Sequence, residues 1–312
     1  MFRTALIVCF LLAPLAARAQ LLPEQRRADF EQLAALVARA YAPYEWKRER
    51  FGYDALRLGP WLERVRRAQS DIEYFEICAE YLASLRDLHT GFSLPSDYTA
   101  SIPLGVDLYG GRALIDSIDR TALPAAQYPF EEGDEVVSVD GETAEAWMER
   151  VGRLQSFADE RATRRWALDQ WFFRAQQAIP SAPRIGAAAR VAVKRRAGGA
   201  VETYEIPWKV TGTPYTVSGP VPLPQAGTLA GAPPPGEPGS FRRAVETFAD
   251  RTPPRFKRLR GFGSVFPAFD PPAGFRPRQG QVAGSLIYSG TYEADGYVIG
   301  LLRIPAFPTS QF

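Results

Sequence analysis

The 312 residues contain one histidine, two cysteines and two methionines, and lack any long uncharged apolar run beyond the first residues. A single histidine, His89, leaves one side chain whose ordinary titration falls near neutrality, so proton-transfer chemistry there has one obvious candidate. Spacing alone favours a plainer reading, in which an imidazolium just past a helix end gains a dipole contact and does nothing else. Cysteine is equally sparse. Cys9 lies in the N-terminal apolar stretch, and Cys78, in Tyr74-Phe75-Glu76-Ile77-Cys78-Ala79, has the setting of a small core residue. A disulfide within the processed chain is thereby excluded, and stability must come from apolar burial. Charge of one sign is also missing.

The start of the chain carries an address. Met1-Phe2-Arg3 is basic, Ala5 to Leu15 is apolar, and Ala17-Arg18-Ala19 is an A-x-A cleavage signature, so residues 1–19 read as a secretory signal peptide. The expected location is periplasmic or extracellular. The apolar run is too short for a stable membrane span, and Pro14 interrupts it. Cleavage removes Arg3 and Arg18, taking the formal charge from +2 to 0. A balanced chain offers no general attraction for nucleic acid or an anionic membrane.

Residues 24–98 read as a small helical bundle. Phe30, Leu33, Ala34, Val37 and Tyr41 share one helical face behind Pro23. Trp61, Val65 and Ala68 form a second, shorter pattern. Ser70-Asp71-Ile72-Glu73 has capping-box spacing and opens a helix expected to run to about Arg86, with Phe75, Ala79, Leu82 and Leu85 inward. The aromatic residues Tyr41, Tyr44, Trp46, Phe51 and Tyr53 are assigned to packing.

The texture changes near Ile102. Short alternating stretches at 102–108 and 113–118, a turn–strand–turn at Gly133 to Gly141, and a hairpin around Gly198-Gly199 predict a β-rich module over 103–211. A helical insertion at 143–178 interrupts it, with one helix opened by Thr143 and a second around Arg161 to Gln177. Residues 212–282 are rich in proline and glycine and read as a linker or loop-rich insertion. Ser285 to Tyr288 and Tyr297 to Ile304 resume extended structure. The second run is nearly all apolar, as for a strand covered on both faces. So little chain follows it that the sequence is expected to be truncated within this last unit, 283–312.

This order of parts, with Leu85-Arg86-Asp87-Leu88-His89-Thr90-Gly91-Phe92, Gly133-Asp134, Asp140-Gly141 and the apolar strand at 297–304, resembles the S41 family of serine peptidases. These are the tail-specific or C-terminal processing proteases, and the tricorn-like branch is the nearer likeness. The resemblance covers roughly 24–210 and 283–307. It implies a multidomain α+β chain: an N-terminal helical bundle, a PDZ-like β-rich module with its helical insertion, and the start of an α/β protease domain. It further implies peptide-bond hydrolysis with His89 as general base, no metal and no organic cofactor. Partners would be proteins or peptides engaged through a free C-terminus, bound by a loop at Leu104-Gly105-Val106. The nucleophile is expected outside this chain, since Ser264, Ser285, Ser289 and Ser310 lack the tight turn that exposes one. Leu88 stands where the tricorn core has a serine. Retinoid-binding proteins of the vertebrate eye share the fold without being proteases, so a non-catalytic binding protein on the same scaffold stays open.

Overall fold

A computed structural model describes residues 20–216, 260–261, 264, 266–282, 285 and 287–304. The first 19 residues, and with them the expected signal peptide, lie outside that set, as does Ser310. Among the described residues no helix is long and apolar enough to cross a membrane.

The chain begins as helices because its apolar residues recur at helical spacing. Helix α1 (Pro23–Ala40) buries Phe30, Ala34 and Val37, and Gln25 accepts from the Leu22 N–H at 2.9 Å to close its open first turn. Helix α2 (Tyr44–Phe51) ends on Gly52, whose φ of 63° is the left-handed cap that glycine adopts without strain. Helix α3 (Gly59–Arg67) buries Val65. Helix α4 (Asp71–Ala83) starts at Ser70, whose Oγ accepts from the Glu73 N–H at 3.2 Å. Glu73 returns a bond to the Gln69 N–H at 2.7 Å, so the expected capping box is displaced by one residue on its acidic side. The helix stops at Ala83, short of the predicted Arg86.

Phe30, Trp61 and Tyr81 meet at the centre of this bundle, Phe30 edge-on to Tyr81 at 5.0 Å. Two of the aromatics expected to pack do not: Trp46 is 58% and Phe51 66% exposed, touching chiefly each other. α2 has no one-sided apolar stripe, and only Tyr44 of it is buried. Cys78 is a free core residue, and burial pushes its thiol up to about 12.

A short sheet follows, with β1 (Thr99–Ser101) between β6 (Phe173–Ala175) and β9 (Lys209–Thr211). The main antiparallel sheet has the order β2-β3-β4-β7-β8, from β2 (Leu104–Tyr109), β3 (Arg112–Ile118), β4 (Glu135–Val139), β7 (Ala188–Lys194) and β8 (Val201–Pro207). The short β5 (Glu142–Thr143) folds back on β4 across Asp140 and Gly141, both at positive φ, the geometry a tight two-residue hairpin requires. β7 turns Ala189, Val191 and Val193 inward on every second residue. Helices α5 (Ala144–Gly152) and α6 (Glu160–Asp169) are capped by Thr143 and Asp159. Trp147, on α5, is buried and donates its indole N–H to the Ala167 carbonyl at 2.6 Å.

The structure departs from the sequence reading in three further places. The second helix of the insertion ends at Asp169, because Phe173–Ala175 pairs antiparallel with β1, Ser101 opposite Phe173 and Thr99 opposite Ala175. Within the proline-rich stretch, β10 (Arg276–Gln279) pairs with β11 (Tyr288–Ala294). Finally, β12 (Tyr297–Arg303) is not covered on both faces. It is the outer strand of the sheet β10-β11-β12, with Tyr297 73% and Val298 71% exposed.

Candidate active site

His89 stands in the loop between α4 and β1, and the loop is held from both ends. After Ala83, the buried Leu85 keeps the chain against the bundle. Lys47 of α2 donates its ammonium to the Leu85 carbonyl, and more weakly to that of Arg86 at 3.4 Å. Arg86 then turns the chain at φ 51°, a left-handed conformation uncommon for a residue with a side chain. Its guanidinium reaches the segment between α5 and α6, donating to the Phe157 carbonyl at 3.4 Å and the Ala158 carbonyl at 2.9 Å. Beyond the histidine, Phe92 stacks on Phe75 of α4 at 5.9 Å. Gly91 lies so close to Gln155 that an added Cβ would sit 2.6 Å from its Oε1.

Asp87 organises the loop. One carboxylate oxygen accepts from the His89 backbone N–H at 2.9 Å, and the other from the Tyr41 hydroxyl at 2.7 Å. The first oxygen also faces His89 Nδ1 at 3.7 Å, beyond hydrogen-bond length but within ion-pair reach. The backbone N–H of His89 chiefly, then the Tyr41 hydroxyl and the Lys47 ammonium, hold the Asp87 carboxyl below its ordinary value. Tyr41 is pushed up by burial and by the Asp87 hydrogen bond. Lys47 is pushed down by burial, with Asp87 opposing.

The imidazole itself is 89% exposed, and among the described residues Asp87 is its polar neighbour. The chemistry available is therefore half of a nucleophile-activating constellation: a carboxylate 3.7 Å from Nδ1 and an imidazole whose far edge is open to solvent. No serine hydroxyl among the described residues hydrogen-bonds to His89. Ser264 is nearly buried and its Oγ accepts from the Phe266 N–H at 3.2 Å, while Ser289 is a β11 strand residue. Leu88 is 63% exposed.

The expected carboxylate loop is not a loop. Leu104, Gly105 and Val106 open strand β2, paired with Ile118, Ser117 and Ile115 around a bulge, and all three are buried. Helix α6 packs beside β2, tied to it by the Arg165–Asp107 ion pair.

Tyr41 and Lys47 are the site residues that sequence reasoning missed as such. Tyr41 falls on the apolar face of α1, and nothing in its spacing tells that its hydroxyl meets a carboxylate 46 positions on.

No family model and no curated protein matches the sequence. Solved structures do. Mature CPAF, a chlamydial serine protease, in complex with lactacystin has a TM-score of 0.57 at 19% identity, covering 91% of this chain and 48% of that one. Mature CPAF alone gives 0.56 at 18% identity over 91% and 48% of the two chains. A serine-to-alanine mutant of CPAF gives 0.60 at 18% identity over 93% and 50%. At such identities the likeness is one of fold, and this chain spans about half the length of the structures it matches.

Proposed function

We propose that this chain is the N-terminal portion of a secreted serine-type peptidase of the S41 kind, in which His89 is the general base. The observation that carries this reading is the pairing of Asp87 with an otherwise solvent-facing imidazole, 3.7 Å from its Nδ1, on a loop fixed by Lys47, Arg86 and Tyr41. The fold shared with a serine protease supports it. Secretion rests on the composition of residues 1–19, and a PDZ-like role in peptide recognition on the strand pattern of the β-rich module.

In the proposed reaction Nε2 of His89 takes the proton of a serine hydroxyl as its oxygen attacks the peptide carbonyl. Asp87 stabilises the imidazolium so formed, and the proton passes to the departing amine as the C–N bond breaks. Water then releases the acyl group by the same base. The serine belongs to chain beyond the described residues.

The test uses the full-length protein. His89→Ala should abolish peptide hydrolysis and, with it, covalent labelling by a fluorophosphonate. Hydrolysis that survives the substitution overturns the assignment. Full-length protein that is never labelled would favour a non-catalytic binding role on the same scaffold instead.

A further inference from the structure

A cleft of about 320 Å³, with no lining residue from the His89 loop, lies between α4, α5 and the chain from Arg174 to Arg184. Arg174 forms its inner wall. It is 9% exposed, and its guanidinium lies between two indoles, 4.5 Å from the Trp147 ring centre and 4.6 Å from that of Trp208. Its Nε donates to the Trp171 carbonyl at 3.2 Å, and no carboxylate among the described residues pairs with it. A cation so buried is costly unless an anion meets it. Burial lowers its proton affinity, to about 10, with Asp140 and Glu142 acting only at longer range.

The rest of the lining shows which anion fits. Arg150 is already held by Glu142, with two bonds of 2.8 Å, and Glu80 by Arg64 at 2.8 Å. That leaves Arg153, Arg174 and Arg184 against one carboxylate, Glu76, so the cleft carries excess positive charge. Leu154, Ile179 and Ala182 supply an apolar wall beside it. A basic inner end and rim with an apolar side suit a small carboxylate that carries an aliphatic group. Guanidinium forks match a planar carboxylate in two-point contact.

We propose that this cleft binds a small aliphatic carboxylate, held by Arg174 with Arg153 and Arg184 at the rim. The inference goes beyond the hydrolytic reading and stands without it, because its readout is binding and not turnover.

Isothermal titration of the 312-residue chain with N-acetylleucine, N-acetylleucinamide and inorganic phosphate tests it. The acid should bind saturably, and the neutral amide at least about tenfold more weakly, the weight of one lost charged hydrogen bond. Arg174→Gln should weaken the acid by a similar factor. Because that side chain sits between two indoles, Arg153→Ala with Arg184→Ala provides the check on exposed positions: acid binding should weaken with the thermal melt unchanged. Equal binding of acid and amide, tighter binding of phosphate than of the acid, or no saturable heat with any of the three overturns the proposal.

Discussion

The hydroxyl of Tyr41 is bound to Asp87 at 2.7 Å, so a residue at the end of the first helix fixes the carboxylate that faces the only histidine. Asp87 also accepts the backbone N–H of His89. Carboxylate and imidazole are thus positioned by the same two elements, the end of α1 and the loop after α4.

Tyr41→Phe deletes that bond and leaves the ring. Loss of a hydrogen bond to a charged acceptor should lower stability by about 1–2 kcal/mol, measured by urea denaturation. Peptide hydrolysis by the full-length protein should fall through kcat rather than KM, since the hydroxyl positions Asp87 and does not touch substrate. An unchanged kcat would separate Tyr41 from the site.

His89→Ala should lower hydrolysis by on the order of 10⁴-fold, as loss of the base in a serine hydrolase does. The fold should persist, because the imidazole is 89% exposed and removes no core volume. A melt several degrees lower with wild-type turnover would make the histidine structural.

Acid should loosen the loop. The Asp87 carboxyl titrates below its ordinary 3.8 in the folded protein, so its contribution to stability is present above about pH 4 and is lost as pH falls through the depressed value. Asp87→Asn should flatten the fall in melting temperature below pH 4. A variant whose acid profile superimposes on that of the parent would remove Asp87 from the account.

Arg26→Ala should be among the most damaging changes in the bundle. Its guanidinium pairs with Asp71 at 3.0 Å, both nearly buried, and donates to the Ala68 carbonyl at 2.7 Å. The substitution removes the cation beside a buried carboxylate, at a cost of about 3–5 kcal/mol by chemical denaturation. A loss below about 1 kcal/mol would mean that the carboxylate's other partners, the Leu21 N–H at 3.1 Å among them, suffice for it.

Much of the bundle and sheet was legible because burial repeats along the chain. The face of Phe30, Ala34 and Val37 marks α1, the alternation of Ala189, Val191 and Val193 marks β7, and Asp140-Gly141 marks a turn by its backbone needs. α2 was not legible, since Tyr44–Phe51 is mostly charged and buries one residue. Phe173–Ala175 read as helix because its strand identity comes from a partner, Thr99–Ser101, far off in sequence. The same limit governs the site. His89 stood out by scarcity, whereas the roles of Asp87, Tyr41 and Lys47 and the burial of Leu104 to Val106 are products of tertiary contact.

Arg86 sets a strained backbone against the contacts that hold the loop. Glycine there would relieve a left-handed backbone strain of about 1 kcal/mol, yet it would also free the loop from the Phe157 and Ala158 carbonyls. A library selected for survival on heating would therefore have no reason to admit Arg86→Gly, because the strain relieved is no larger than the charged hydrogen bonds given up.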